Sequence, residues 1–304
     1  MKRHFLLCCV ALIGLPLMAL AQNEISKQYT GIRQLEVQGG PLEVSYSGFA
    51  DQKDITITAF LGEEQEREKD VVFVTMGNVL KVAYSPSKRF DNYNGPKRYL
   101  KITGPEEVVL EIKNSSGQIV VDKVRGENTR LVVSSGQIKA SNIEGDLTLQ
   151  GSSGNIQAKN VTGSVTCSIT SGLSTLEDIA GNLDFSSTSG RLNASKVGGR
   201  VDAGLTSGSI ALNEVRELGE ISISSGNVKA KEAGLGNRTH LRGSSGSFSI
   251  HTVSDLKAFN YDLQASSGSV SVGNSSGGKK LKIENGAPGT VKGSISSGRI
   301  RIEN

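Results

Sequence analysis

Apolar and polar residues alternate in short runs through the second half of the chain, and the runs recur at a fixed interval. A Ser/Thr-Ser-Gly tripeptide marks each recurrence, and five successive intervals between its glycines are 18 residues. A fixed interval of this length is typical of a solenoid, in which each unit stacks on its neighbours. The ten structural turn glycines of the predicted coils are Gly117, Gly136, Gly154, Gly172, Gly190, Gly208, Gly226, Gly246, Gly268 and Gly298.

The apolar positions keep their place relative to these glycines. Ile138, Ile156 and Ile210 each follow a turn glycine by two residues, and a further small or aliphatic residue comes two positions later. A period of two predicts strands with one buried face. Since the same position recurs in successive units, we expect equivalent side chains to stack as ladders along one dry interior.

A single unit of this length cannot fold alone. Ordering costs about 1–2 kcal/mol per residue, whereas burying one aliphatic side chain returns about 1.5–3 kcal/mol. Stacking adds a backbone hydrogen-bond ladder and a continuous core. We therefore predict an all-β fold, a single-stranded right-handed parallel β-helix with coils of about 18 residues; the right hand follows from chain chirality.

The two ends of the repeat region differ from its middle. Residues 22–113 have strand-like runs without the 18-residue rhythm, which predicts an amino-terminal β cap with irregular first coils, followed by repeats over 114–304. At the carboxyl end, residues 299–302 alternate arginine with isoleucine. We expect an exposed end there, either guarded against strand pairing by its arginines or docking another chain.

The first 21 residues read as a secretory signal peptide. Lys2, Arg3 and His4 precede an apolar run over 5–20, and small residues favour cleavage before Gln22. An uncleaved membrane anchor is the alternative, although the run is short for a span of about 20 residues. The mature protein is then periplasmic, on the outer surface or secreted, with no transmembrane segment after cleavage.

Charge and cysteine content narrow the possible partners. Cleavage removes Lys2 and Arg3 from 34 basic residues, so 32 remain against 30 acidic ones. This balance argues against a nucleic acid partner. Cys167 is the one cysteine left, and its place in a ladder held by apolar residues predicts a small buried side chain.

Nothing in the sequence forms a catalytic, cofactor-binding or metal-binding pattern. Asp122, Glu177 and Glu214 fall at scattered offsets, whereas glycosidases need convergent carboxylates. His240 and His251 lie at different offsets from Gly246, without partners at ligand spacing. The Ser/Thr pairs before the turn glycines have two interpretations: they satisfy turn backbone, or they form a regular hydroxyl face for glycans or ice.

Exposed aromatic side chains are the usual contacts for a glycan or a protein partner. The sequence has no tryptophan, which leaves Tyr84, Tyr261 and the aromatic residues around the 85–98 loop. We interpret Phe90, Tyr93 and Tyr99 as a possible contact loop, with an ordinary solvated insertion as the alternative.

The turns at 134–140 and 152–158, together with the lead-in from Tyr99 to Gly117, resemble the "putative adhesin" family. These are exported β-helix domains of unknown function, related to the head domains of auto-transporter adhesins. The resemblance extends over residues 30–304. It implies a β-helix at or near the bacterial surface and carries over no catalytic residues.

These observations favour a non-catalytic exported envelope or surface protein, an adhesin-like scaffold for adhesion or protein–protein contact. A glycan-binding or carbohydrate-active β-helix protein is one alternative, and an envelope-stress accessory protein that binds a signalling partner is another. The partner is an unknown protein or a surface glycan, and the sequence leaves the oligomeric state open.

Overall fold

The computed structural model describes residues 24–62, 69–86 and 95–304. In this part of the chain the prediction of an all-β fold is confirmed, with a 3-10 turn at Leu256–Ala258 and a single branched sheet. The strands are β1 Glu24–Tyr29, β2 Gln34–Gly40, β3 Glu43–Phe49, β4 Ile55–Phe60, β5 Val71–Met76, β6 Val79–Tyr84, β7 Tyr99–Pro105, β8 Val109–Asn114, β9 Gln118–Val161, β10 Val165–Ile179, β11 Leu183–Ala233, β12 His240–Thr252, β13 Asn260–Val272, β14 Ser275–Gly277, β15 Lys280–Ile283 and β16 Thr290–Glu303.

Parallel pairing joins the long strands at the interval seen in the sequence. Strand β10 pairs on one side with β9, where Gly172 faces Gly154, and on the other with β11, where Gly172 faces Gly190. Strand β11 pairs with β12 through Gly226 and Gly246. The turn glycines therefore form one row across the sheet, and the stacked coils form a solenoid-like column.

Backbone contacts explain why this row is glycine. All ten have a positive φ, from 82° at Gly117 to 154° at Gly190. At Gly208, with φ of 130°, an added Cβ would lie 1.9 Å from the carbonyl oxygen of Gly190. Any other residue would combine an unfavourable backbone with a backbone clash.

A second row of bends is occupied by residues other than glycine. Seven residues have φ between 50° and 58°, a conformation that costs an ordinary residue about 1–2 kcal/mol. Side-chain bonds along the row offset part of this cost: Asn160 donates to Asn142 at 3.0 Å, and Asn142 donates to Asp122 at 2.7 Å. The seven are Lys123, Asn142, Asn160, Asp178, Lys196, Glu214 and Glu232.

The interior is the continuous aliphatic core that the pattern predicts. Ile138, Ile156 and Ile210 are each 0–1% exposed, which confirms the expectation for these ladders. Ser174 interrupts the row, since it is fully buried and faces Ile156 and Leu192. Its Oγ lies 3.8 Å from the Sγ of Cys167, so two weakly polar groups share the apolar interior.

The first coil of the chain lies inside the column. Strand β2 pairs in parallel with both β6 and β8, and β3 pairs in parallel with both β7 and β9. Beyond them, β4 pairs antiparallel with β7, β1 with β4, and β5 with β6. The cap predicted for this end is therefore built from antiparallel strands, while the boundary at residue 113 stays a prediction.

The carboxyl end corrects one expectation. Strand β16 lies between β12 and β13 and pairs in parallel with both, so Gly298 faces Gly246 on one side and Gly268 on the other. Residues 299–302 are thus not an exposed end, because a parallel partner covers each side. The outer side of β13 is covered by β14 and β15, which run antiparallel to it.

We expect Gly208→Ala to destabilise the protein by at least about 1–3 kcal/mol, because the new Cβ meets the backbone of the preceding coil at a positive φ. Gly278→Ala is the matched control: its Cβ would have no atom within 4 Å, so its effect should stay within about 0.5 kcal/mol. Urea unfolding followed by circular dichroism measures both. Equal midpoints for the two variants would contradict the glycine contact.

The thiol of Cys167 should be inert in the folded protein. Burial raises its pKa to about 12, and the nucleophilic form is the thiolate. At about pH 8.5, where an unfolded cysteine is half ionised, the native thiol remains protonated and covered. Iodoacetamide should therefore modify the Cys167 peptide only after guanidinium unfolding, as read by mass spectrometry. Modification at equal rates in native and unfolded protein would contradict this burial.

Candidate functional site

A shallow groove runs across six coils on the face that leads into the glycine row. Its volume is about 570 Å³. The residues come from strands β10, β11, β12 and β16. Five coils each contribute the three positions that end two residues before their turn glycine, and the sixth, in β16, contributes Ser294. The groove therefore extends along the column axis.

The groove has hydroxyl walls and a mostly apolar floor. Ser168, Ser186 and Ser222 line one wall, and the floor beneath them is formed by largely buried Ile169, Leu205 and Ile223. The other wall contains Thr170, Thr188, Thr206, Ser224 and Ser244. Parallel strands lie about 4.8 Å apart, so the hydroxyls recur at that spacing.

Local backbone geometry creates this shape. The pairing between β10 and β11 omits Thr170 and Thr188, where the chain bends before the glycine. Small side chains border the bend, and Gly204 and Gly243 take two positions that bear side chains in neighbouring coils. Ser186 donates a hydrogen bond of 3.0 Å to Ser168, which fixes part of the first wall.

The charged groups at one end of the groove are mutually paired. Arg242 lies 2.9 Å from a carboxylate oxygen of Glu220 and donates to the ring of His240 at 3.3 Å. Partial burial and the neighbouring guanidinium of Arg242 lower the pKa of His240. The ring is therefore neutral at pH 7, and it serves as an acceptor there.

The groove offers hydrogen bonds and apolar contact rather than reactive groups. Hydroxyls donate and accept, so a row of them fits a neutral polar ligand. The carboxylates considered from sequence lie elsewhere: Asp122 accepts from Ser141 at 2.6 Å, and Glu177 lies 3.4 Å from Lys159. Glu214 accepts from Asn213 at 2.9 Å. Within the described ranges, no three His, Cys, Asp or Glu residues are grouped to hold a metal ion.

The predicted contact loop is described only at its margins. Phe90 and Tyr93 lie outside the described residues, so their contact role stays a prediction. Tyr99 begins β7, where it donates to Glu24 at 2.5 Å and its ring lies 5.9 Å from that of Phe60. The hydrogen bond to Glu24 raises the pKa of Tyr99 to about 12. Tyr99 is therefore held by residues of β1 and β4 in the cap.

A second cavity of about 760 Å³ lies beside the described margin of that loop. Residues 95–98 form one side, and Gln118, Gln137 and Asn155, which follow turn glycines, form another. The cavity combines amide groups with the charged side chains of Lys97 and Glu43.

Two of the aromatic contacts expected from sequence are wrong. Tyr84 is 7% exposed and Tyr261 is 1% exposed, so both belong to the core rather than to a binding surface. Tyr261 faces Val291 in the neighbouring strand, which is an apolar ladder position. An exposed aromatic residue that the sequence reasoning missed is Phe49 at the end of β3.

The sequence indicated only one of the two walls of the groove. The Ser/Thr residue before each Ser-Gly pair identified the second wall. The first wall, four residues before the turn glycine, was not recognised, because it reads Ser168, Ser186, Gly204, Ser222 and Arg242. The serine–serine bond described between coils joins residues of this wall rather than the pairs at the turns.

No helix in the described part of the chain is long and apolar enough to cross a membrane. No curated protein matches the chain significantly in sequence.

Several solved structures resemble the fold at low sequence identity. A "putative adhesin" from Bacteroides fragilis is 14% identical, with 93% of this chain and 98% of that chain covered and a TM-score of 0.45. A "putative lipid binding protein" from Parabacteroides distasonis is 13% identical, with coverage of 93% and 97% and a TM-score of 0.48. A "putative adhesin" from the same species is 12% identical, with coverage of 93% and 98% and a TM-score of 0.38.

One protein-family model also matches this sequence. The model for the family described as Toastrack DUF4097 matches residues 47–303, which include strands β4 and β5 of the antiparallel cap and the repeats. The family resemblance predicted from the turns is confirmed by this match. Because it extends over most of the chain, the protein belongs to the Toastrack DUF4097 family.

Proposed function

We propose that this protein is a non-catalytic, exported cell-envelope or surface protein whose column presents the hydroxyl groove to a partner, for adhesion or protein–protein contact. The observation that carries the proposal is the groove itself, a preformed surface about 570 Å³ in volume that runs across six coils.

Preorganisation is the physical basis of this proposal. A surface that is already ordered pays little conformational entropy on binding, so weak contacts add up to useful affinity. The walls are held from behind by the parallel ladder, and the floor residues are anchored in the core. A partner that meets this face encounters fixed hydroxyls at a regular spacing.

The proposed column is a right-handed parallel β-helix with coils of about 18 residues. The parallel registers at that interval support the coil length, as in Cys167 facing both Leu149 and Phe185. The right hand is supported by chain chirality, which favours it in parallel crossovers.

Export is supported by the basic, apolar and small-residue pattern of the first 21 residues. Those residues lie outside the described part of the chain. The proposed location is therefore the periplasm, the outer surface or the medium.

A neutral glycan is the second candidate partner, and the composition of the groove favours it. Hydroxyl walls match the hydrogen-bonding groups of a saccharide, and the floor of Ile169, Leu205 and Ile223 can contact its apolar faces. Charge contributes little, since Arg242 is already paired with Glu220.

Filling the groove should weaken binding strongly. Thr206→Trp places a large ring in the second wall, so we expect retention of envelope material to fall at least about tenfold. Ala211→Trp is the matched control, since it adds the same ring to an exposed position of the same coil outside the groove. Immobilised wild type and variants are compared for retention of envelope extract.

Two treatments of the extract distinguish the candidate partners. Protease should remove binding if the partner is a protein, whereas periodate oxidation should remove it if the partner is a glycan. Equal retention by Thr206→Trp and wild type would refute the groove as the binding surface. Turnover of a polysaccharide by the wild type would refute the non-catalytic assignment.

A further inference from the structure

Strand β5 is an unguarded edge at the amino-terminal end of the column. In the described part of the chain it pairs with β6 alone, which leaves its other edge without a strand partner. The six residues Val71–Met76 include no charge, no proline and no glycine, and their register with β6 is unbroken. An open edge of this kind is a template for pairing with another strand.

The other edge strands carry features that discourage pairing. Strand β1 contains Glu24 and Lys27, β15 contains Lys280 and Lys282, and β14 has only three residues. Charged residues and short length are the usual protections of a sheet edge. Their absence from β5 distinguishes it from every other edge of the described sheet.

The outward face of β5 is apolar as well. Val72 is 46% exposed, Val74 is 44% exposed and Met76 is 62% exposed. Val79 and Ala83 of β6 lie directly beside two of them, opposite Met76 and Val72. This apolar surface continues to the edge, so a strand added there would bury it.

The edge is held in place from behind. The ring of Phe73 stacks on Tyr29 with centroids 6.0 Å apart, and the ammonium of Lys27 lies 5.1 Å from its centre. Ser85 donates its amide to the carbonyl of Asp70 at 2.7 Å, which fixes the end of the β5–β6 hairpin. A fixed strand loses little conformational entropy when another strand pairs with it.

We propose that β5 pairs antiparallel with β5 of a second copy of this chain, so that two columns join through one continuous sheet. A two-fold interface requires a self-complementary patch. With Val74 opposite Val74 of the second copy, Val72 faces Met76 and Phe73 faces Thr75, and each residue keeps its own face of the sheet. No charge meets a like charge within the two strands.

The surrounding charges are compatible with this arrangement. Lys81, opposite Val74 on β6, lies 2.8 Å from Glu36, so this cation beside the proposed axis is already neutralised. An acidic or basic peptide would find no complementary charge on β5. This favours a second copy over a charged segment of another protein.

The predicted dimer is weak. The edge of one six-residue strand buries less than the roughly 1,200–2,000 Å² of a standard interface. Sedimentation velocity on the protein as the cell produces it, from about 1 to about 500 µM, should therefore show a monomer that becomes a dimer. A monomer throughout this range would overturn the proposal.

Val74→Lys should raise the dissociation constant at least about tenfold, because two lysines would then face each other at the axis. Val109→Lys is the matched control: Val109 is 46% exposed, but its strand β8 is paired on both sides, so dimerisation should be unchanged. Met76→Lys, opposite Val72 of the second copy, is a second disrupting variant. Unchanged dimerisation of both β5 variants would overturn the proposal.

Mixing tests the two-fold register directly. Val74→Lys and Val74→Glu should each be monomeric, whereas an equimolar mixture should form a heterodimer, because lysine then faces glutamate. Thermal melting of each variant verifies that it is folded. A mixture that stays monomeric while the wild type dimerises would overturn the proposed pairing.

Discussion

The close approach of one glycine backbone to the next is the constraint on which the column depends. An added Cβ at nine of the turn glycines would lie 1.8–2.2 Å from the carbonyl of the glycine in the adjacent coil. This contact fixes where each coil turns relative to its neighbour, so the strands on either side of the turn have no freedom to slip. A one-residue slip would also expose every core side chain, which makes the two constraints reinforce each other.

The hydroxyl groove is a consequence of the same turn. The chain must bend before each glycine, and the residues at the bend need small side chains that can bond to local backbone. Serine and threonine meet both needs. Stacking them coil upon coil therefore produces a polar wall, with no requirement beyond that of the turn. The same geometry therefore accounts for stability and for the surface most suited to a partner. For this reason the repeats alone could not show whether the Ser/Thr pairs satisfy turn backbone or form a hydroxyl face for binding.

The sequence predicts which side chains are buried, because alternation within one coil determines this. It does not predict the order in which the coils stack. The positions of Ile138, Ile156 and Ile210 follow from alternation around the glycine, and they are buried. The place of β16 could not be read in this way, because the motif at Gly298 is the same as those at Gly246 and Gly268. Tyr261 is a different case. It lies seven residues before a turn glycine, the ladder position that Val165, Leu183 and Val201 occupy in other coils, so its burial could have been predicted from the repeat.

The first and last coils of the described chain do not lie at the ends of the column, and this has a physical reason. A parallel coil leaves a parallel edge that would accept another coil, so a column of identical repeats has no natural stop. Antiparallel strands β4, β14 and β15 cover the outermost coils and change the direction of pairing. The first and last coils can then lie one position inside, each paired on both sides. Loss of β16 would therefore leave a gap inside the sheet, between β12 and β13, rather than a shorter column, because the cap would have to move to close it.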